Sequence, residues 1–227
     1  MVIKEFDESL SFAKPAFYKI PEEKQQRIIA IAKKEFAENG LTSTNINIVA
    51  KKADISIGSL YNYFETKENL FLTVAHQGLK EMVDSVMIAM SFSVNFIDSF
   101  KDFLKVLIRF IKEERELSLI YNDVAYRADP EVTLSTRKYA KENLINIYHS
   151  TIKRAQEEGY VRNDVDFRVI TFILDAIFSS IRLAYTSDDE NSLCVFVDEE
   201  LRDDIDFFAD EICKVLLRAF SAKSREQ

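Results

Sequence analysis

Residues 40–71 read GLTSTNINIVAKKADISIGSLYNYFETKENLF, and this stretch decides the fold. It holds two short amphipathic helices separated by a four-residue turn. Ile46, Val49, Ala50 and Ala53 recur at helical spacing in the first helix, and Leu60 and Phe64 do so in the second. Thr44 and Ser56 stand where a hydroxyl can cap the start of each helix. Ile48, Leu60 and Phe64 read as core, and the second helix then turns Ser59, Tyr61, Asn62 and Tyr63 outward. A short helix that begins with small, hydrogen-bonding residues is the kind that enters the DNA major groove in a helix-turn-helix.

The flanking chain keeps the helical pattern. Pro21 opens a helix at its first position, Ile28, Ala32 and Phe36 form its inward stripe, and Asn39–Gly40 ends it. Thr66 caps a long helix carrying Leu70, Phe71, Val74, Met82, Val83 and Val86. Further helices are expected over 93–114, 117–126, Pro130 to Gly159, 166–186 and 199–221, with an acidic loop at 187–198. The chain is therefore expected to be all-α, with about nine helices. Four Gly and three Pro are too few for an all-β chain full of turns. Residues 1–20 form an N-terminal extension with scattered Phe6, Phe12, Phe17 and Tyr18, read as an arm with one helical turn and given no role. Residues 21–66 form the helix-turn-helix unit, and residues 67–227 form a larger helical body.

The 227 residues are 47% hydrophobic, enough for a substantial core and too much for disorder. No apolar run reaches the roughly 18 residues of a membrane span. The acidic start MVIKEFDESL does not resemble a signal peptide, and Cys194 and Cys213 make no disulfide framework, so a cytoplasmic protein is expected. Net charge is −8, distributed unevenly: residues 1–75 hold 10 Lys/Arg and 10 Asp/Glu, residues 76–227 hold 20 and 28. A neutral head on an acidic body suits a site-specific DNA binder, and an ordinary acidic globular protein equally well.

Enzyme chemistry finds no residues to rest on. His76 and His149 stand apart from each other and from the cysteines, so neither a metal site nor a cofactor is expected. The chain contains no Gly-rich phosphate loop, nucleophile–His set or paired-carboxylate motif. The alternative to a DNA binder is a helical protein-binding or assembly protein that uses the same block for protein contacts.

Each candidate DNA-binding residue has a physical role. Thr44 and Ser56 are caps whose hydroxyls lie near phosphates, and Asn47 sits on the outer face of the first motif helix. Gly58 and Ser59 let the helix start come close to the sugar–phosphate chain. Tyr61, Asn62 and Tyr63 supply base-edge chemistry: Asn can read adenine bidentately, and Tyr can donate to phosphate or pack on a thymine methyl. Lys67, at the start of the following helix, is expected to add a phosphate contact through its charge and nearby N–H groups.

The body offers two further sets of residues. Phe100, Phe103, Leu107, Tyr121, Tyr139, Asn143, Tyr148 and Phe172 can line a cavity for a largely apolar small molecule, or simply be core. The last two helices have broad apolar faces, with Phe172, Ala176, Ser179, Ser180 and Leu183 on one. Ile205, Phe208, Ile212 and Leu216 lie on the other. Such helices can build a four-helix interface between two copies, or complete the core of one.

The block over about residues 21–75 resembles the DNA-binding domain of the TetR (tetracycline-repressor-like) family of bacterial transcriptional regulators. AENG at the end of the first helix, ST-N-I-x-x-V-A, A-D-I-S, G-S-L-Y-N-Y-F and K-E-N-L-F carry the resemblance. It implies a helical body that dimerises through its last two helices and encloses an effector pocket. It also implies a homodimeric, ligand-responsive repressor on a pseudo-palindromic operator. Two positions depart from the family pattern. Asp54 stands where the family usually has Gly, which Asp can replace at modest cost in the left-handed region. Ile57, counted among the DNA-facing residues, stands where Lys, Arg or Pro is common, so an operator preference cannot be carried over from relatives.

Overall fold

The computed structural model describes residues 12–91, 96–140, 146–187, 197 and 199–222. Among these the chain forms eleven α-helices and no strand. They are α1 (Glu22–Ser43), α2 (Ile46–Lys52), α3 (Ile57–Tyr63), α4 (Lys67–Ser91), α5 (Phe96–Glu113) and α6 (Arg115–Asn122). Then follow α7 (Pro130–Ala140), α8 (Asn146–Glu157), α9 (Phe167–Thr186), α10 (Glu199–Asp203) and α11 (Ile205–Phe220). The all-α architecture is as expected, and the larger helix number has local causes. Asp204 leaves helical geometry and its carboxylate accepts from Phe207 N–H, so 199–221 is two helices, the second capped by Asp204. Helix α6 passes into a π turn over Asp123–Arg127. The expected helix from Pro130 to Gly159 corresponds to α7 and α8, on either side of residues 141–145, which lie outside the described residues.

The chain divides into two compact units, the first comprising residues up to 79 together with 116–139. Its core joins Phe17, Ile28, Ala32, Phe36, Val49, Leu60, Phe64, Leu70 and Phe71, all fully buried. The Phe36 and Phe71 rings meet edge to face at 5.1 Å, locking α1 against α4. Pro21 lies one residue before α1, at the cap position, with the acidic Glu22 and Glu23 in the first turn as the helix dipole favours. The helix breaks at Gly40 (φ 70°, ψ 170°), a conformation open to glycine and costly for other residues.

The second unit holds residues 80–115 and 140 onward. Helix α5 is its hub, packing on α11 and α9, with α8 against α9. Every third or fourth residue of α5 is buried: Phe100, Phe103, Leu104, Leu107, Ile108 and Ile111. Its opposite edge carries Lys101, Lys105 and Lys112, which pair with Asp210, Asp206 and Asp203 at 2.7–2.8 Å. These ammonium groups hold all three Asp carboxyls below their ordinary range. The acidic balance of the body is thus partly spent inside one unit.

Candidate nucleic-acid interface

Helices α2 and α3 are short, so their ends fix their geometry. The Asn45 side chain caps α2 by accepting from Asn47 N–H at 3.0 Å. At the other end Ile55 N–H reaches Ala50 O and Asp54 N–H reaches Lys51 O, the paired bonds of a Schellman turn. Asp54 takes the left-handed conformation there, with φ 54°, as expected from its replacement of glycine. Ser56 then caps α3, its Oγ accepting from Ser59 N–H at 3.0 Å and lying 2.8 Å from Ser59 Oγ.

With both ends set, the spacing decides which side chains face out. On α3, Leu60 and Tyr63 point inward, while Ile57, Gly58, Tyr61 and Asn62 are exposed and Ser59 is half-buried. Ile57 stands over Tyr61 and Gly58 over Asn62, at i,i+4, so the four make one outward strip two residues wide. On α2, Asn47, Ile48, Lys51 and Lys52 are exposed. A Cβ on Gly58 would find only Ser56 Oγ, at an ordinary 3.8 Å. Nothing inside the chain calls for glycine at that position. The arrangement offers amide, hydroxyl and methyl groups on one surface, the chemistry that base edges and thymine methyls match.

Four expectations are corrected. Thr44 is not the cap of α2. It is buried, and its hydroxyl donates to Glu35 O (3.1 Å) and Gly40 O (2.6 Å), closing the end of α1. Asn45, one residue on, takes the cap. Tyr63 is 8% exposed and does not face outward, because Phe17 lies beside it. Ile48 is 43% exposed and belongs to the surface, not the core. The Lys67 ammonium does not stand open, since it donates to Thr42 O (2.9 Å) and Thr44 O (3.3 Å). It ties the start of α4 to the α1–α2 junction. Lys52 pairs with the buried Glu35 carboxylate, a bond that raises the Lys52 pKa and keeps it charged. Asn45, Lys14 and Phe17 escape a reading by pattern; only the capping preference of Asn at position 45 signals the first of them.

The residues considered for an effector cavity fall into several settings. Phe100, Phe103 and Leu107 are buried in the core of the second unit. Tyr148 packs edge-on to Phe103 at 5.8 Å and stacks on Phe178 at 5.9 Å. Phe172 is 72% exposed and does not line that interior. Tyr121, half-buried, belongs to the first unit. The Tyr139 side chain and Asn143 lie outside the described residues, as does Cys194, while Cys213 is a buried free thiol.

For an interface between copies, α9 exposes Phe172, Ala176, Ser180 and Leu183, with Ser179 half-buried beside them. On α11 the expected set is corrected: Phe208 and Leu216 are core, with Ile205 and Ile212 partly buried against it. Phe207 and Val215 are the exposed large apolar residues of that helix. Among the described residues no group of three His, Cys, Asp or Glu is placed to hold a metal. No described helix is long and apolar enough to cross a membrane.

Comparison with known proteins agrees with this geometry. Residues 28–74 match the family of bacterial regulatory proteins, tetR family. The HTH-type transcriptional repressor KstR2 of Mycobacterium tuberculosis is 26% identical over 163 residues, 68% of this chain and 78% of that protein. The fold is shared with the fatty acid degradation regulator FadR from Bacillus halodurans (TM-score 0.71, 17% identity, 85% of this chain and 97% of that one). It is shared also with the transcriptional regulator FadR from Bacillus subtilis in complex with stearoyl-CoA (TM-score 0.69, 16% identity, 85% and 97%). The matched segment is the α1–α4 head whose caps, left-handed Asp54 turn and outward strip are described above, and over that segment the chain is similar to the bacterial regulatory proteins of the tetR family.

Proposed function

We infer that this chain is a sequence-specific DNA-binding transcriptional regulator, and we propose that it is a repressor that acts as a homodimer. The observation that carries the reading is the outward strip of α3, with Ile57, Gly58, Tyr61 and Asn62 displayed on a helix held rigidly from behind by Leu60 and Phe64. Two copies would place their α3 helices in successive major grooves, about 34–36 Å apart, on a pseudo-palindromic site. Asn62 and Tyr61 would read base edges, and Asn47, Ser56, Ser59 and Lys51 would hold the backbone. A regulator of chromosomal genes works in the bacterial cytoplasm.

The effector we propose is a largely apolar small molecule bound by the second unit. The joined rings of Phe96, Phe100, Phe103, Tyr148 and Phe178 support it, since a shift of one ring obliges the next to move. A ligand that prefers one packing of α5 and α8 would shift the equilibrium only by its difference in affinity for the two states. Stearoyl-CoA is the first probe, because a regulator of the same fold has been seen with it.

A gel-shift titration on the promoter region of the chain's own gene, at two salt concentrations, tests the reading. Selective retention of one duplex, released on addition of stearoyl-CoA or another apolar ligand, is the expected result. Equal binding to all duplexes, or none, would overturn DNA recognition. Selective binding that no ligand alters would overturn only the effector.

A further inference from the structure

Residues 12–20 have no periodic pattern, yet they close over the end of the recognition helix. Helix α3 has seven residues, and the bond from Phe64 N–H to Leu60 O (2.8 Å) ends its ladder. The carbonyls of Tyr61 and Tyr63 therefore need donors from elsewhere. Lys14 supplies both: its backbone N–H donates to Tyr63 O at 2.8 Å, and its ammonium to Tyr61 O at 3.4 Å. A cation at a helix C-terminus also opposes the negative end of the helix dipole.

Phe17 completes the contact. Its ring is 1% exposed and lies 4.8 Å from the Phe64 ring and 6.1 Å from that of Tyr63. The segment is anchored on both sides of α3. Phe12 meets His76 of α4 edge-on at 6.0 Å, and the Gln25 side chain of α1 donates to Ile20 O at 2.9 Å. A turn over Phe17–Lys19, tied by Phe17 N–H to Lys14 O, shapes the piece between them.

We propose that residues 12–20 are a clasp that sets the tilt and register of α3, with Phe17 and Lys14 as positioning residues for sequence reading by Tyr61 and Asn62. The proposal rests on the DNA-binding reading above. Its physical basis is that a seven-residue helix has little stability of its own and takes its rigidity from what it packs on. Base-edge hydrogen bonds tolerate only about half an ångström of error in their supports, whereas phosphate contacts from flexible side chains tolerate more. A loosened clasp should therefore cost sequence discrimination first and general DNA affinity last.

The test uses the full chain, a duplex selected from a random pool by the wild type, and a scrambled duplex of equal length. Phe17→Ala is expected to lower affinity for the selected duplex by about 10- to 100-fold, the range that lost base contacts span, with the scrambled duplex changed by less than about twofold. Lys14→Ala should act in the same direction, more weakly, and Phe17→Leu should restore most of the loss. Without DNA, amide exchange in Leu60–Phe64 should quicken in Phe17→Ala relative to α1. An unchanged affinity ratio in both Phe17→Ala and Lys14→Ala overturns the clasp. So does unaltered exchange in α3, or equal loss of both duplexes with α1 exchanging as fast as α3. If the wild type prefers no duplex, the DNA-binding reading fails by itself, and the exchange comparison still decides the clasp.

Discussion

The carboxylate of Asp123 accepts a hydrogen bond from the backbone N–H of Leu41 across 2.8 Å. Leu41 follows Gly40, the left-handed break in α1, and both Leu41 and Asp123 are buried. A residue at the head of the π turn thus holds the point where α1 hands over to α2. Asp123→Ala leaves a buried N–H without an acceptor, which costs about 1–3 kcal/mol. Chemical denaturation should show that loss, and Asp123→Asn a smaller one, because its carboxamide oxygen can accept the same bond. Operator affinity should fall with stability in the Ala variant. A denaturation midpoint equal to wild type would remove this bond from the account of the head.

Gly58 separates folding from function. It lies in helical conformation on the exposed strip, where glycine costs roughly 0.5–1 kcal/mol relative to alanine. Because a Cβ there meets no obstacle within the chain, Gly58→Ala should stabilise the protein by about that amount. The same methyl would stand between the helix start and the sugar–phosphate chain, so operator affinity should drop. A variant that gains stability and binds DNA as tightly as wild type would move the contact surface away from the start of α3.

Asn62 and Lys67 should fail in different ways. Asn62→Ala is expected to cost about 1–3 kcal/mol on the best operator and to relax preference at one base pair, with little change in stability. Lys67→Ala should lower thermal stability as well as affinity, since its ammonium bridges the Thr42 and Thr44 carbonyls. Melting curves beside footprints on a set of single-base operator variants distinguish the two. An Asn62→Ala footprint identical to wild type would deny that residue a reading role.

The motif was legible because its constraints are local. Caps at Ser56 and Thr66, the outward Tyr61 and Asn62, and the strained Asp54 turn all follow from residues within a few positions of each other. What was not legible depends on distant chain. Thr44 and Asn45 are both good caps. Thr44 is withdrawn by the open carbonyls at the end of α1, so the role passes to Asn45. Tyr63 has the same local pattern as Tyr61, and only the arrival of Phe17, 46 positions earlier, turns it into core. Phe208 and Leu216 share their periodicity with Phe207 and Val215, and the helix face that meets α5 is chosen by packing that no single helix encodes.

Burial pushes the His76 imidazole below its ordinary pKa of 6.5, so the folded chain favours the neutral ring. Well above that pH both folded and unfolded chains are neutral at this site, and the residue contributes no pH dependence. As pH falls through about 6.5 the unfolded chain takes up the proton first, and folding stability declines until the folded-state pKa is passed. Denaturation midpoints should therefore drop between neutral and mildly acidic pH, and His76→Leu should flatten that part of the profile. An equally steep profile in the variant would assign the acid sensitivity to other groups.

The outward face of α9 sets Phe172, Ala176, Ser180 and Leu183 on one side, and α11 adds Val215, 66% exposed, and Phe207. Single exposed apolar residues are ordinary on a soluble protein, but a stripe repeated along one helix marks a surface that is covered in the working assembly. A second copy is the occupant proposed here, because the small residues of α9 let two helices approach closely and the two-fold pairing repeats the same patch on both chains. Phe172→Glu should place a charge in the middle of that contact and give a monomer by sedimentation, at a concentration where the wild type is a dimer. Operator affinity should then fall steeply, because each monomer reads one half-site without its neighbour, while the far-UV spectrum stays helical. Val215→Glu should do the same if α11 shares the interface. Dimers that survive both substitutions would place the contact between copies on another face.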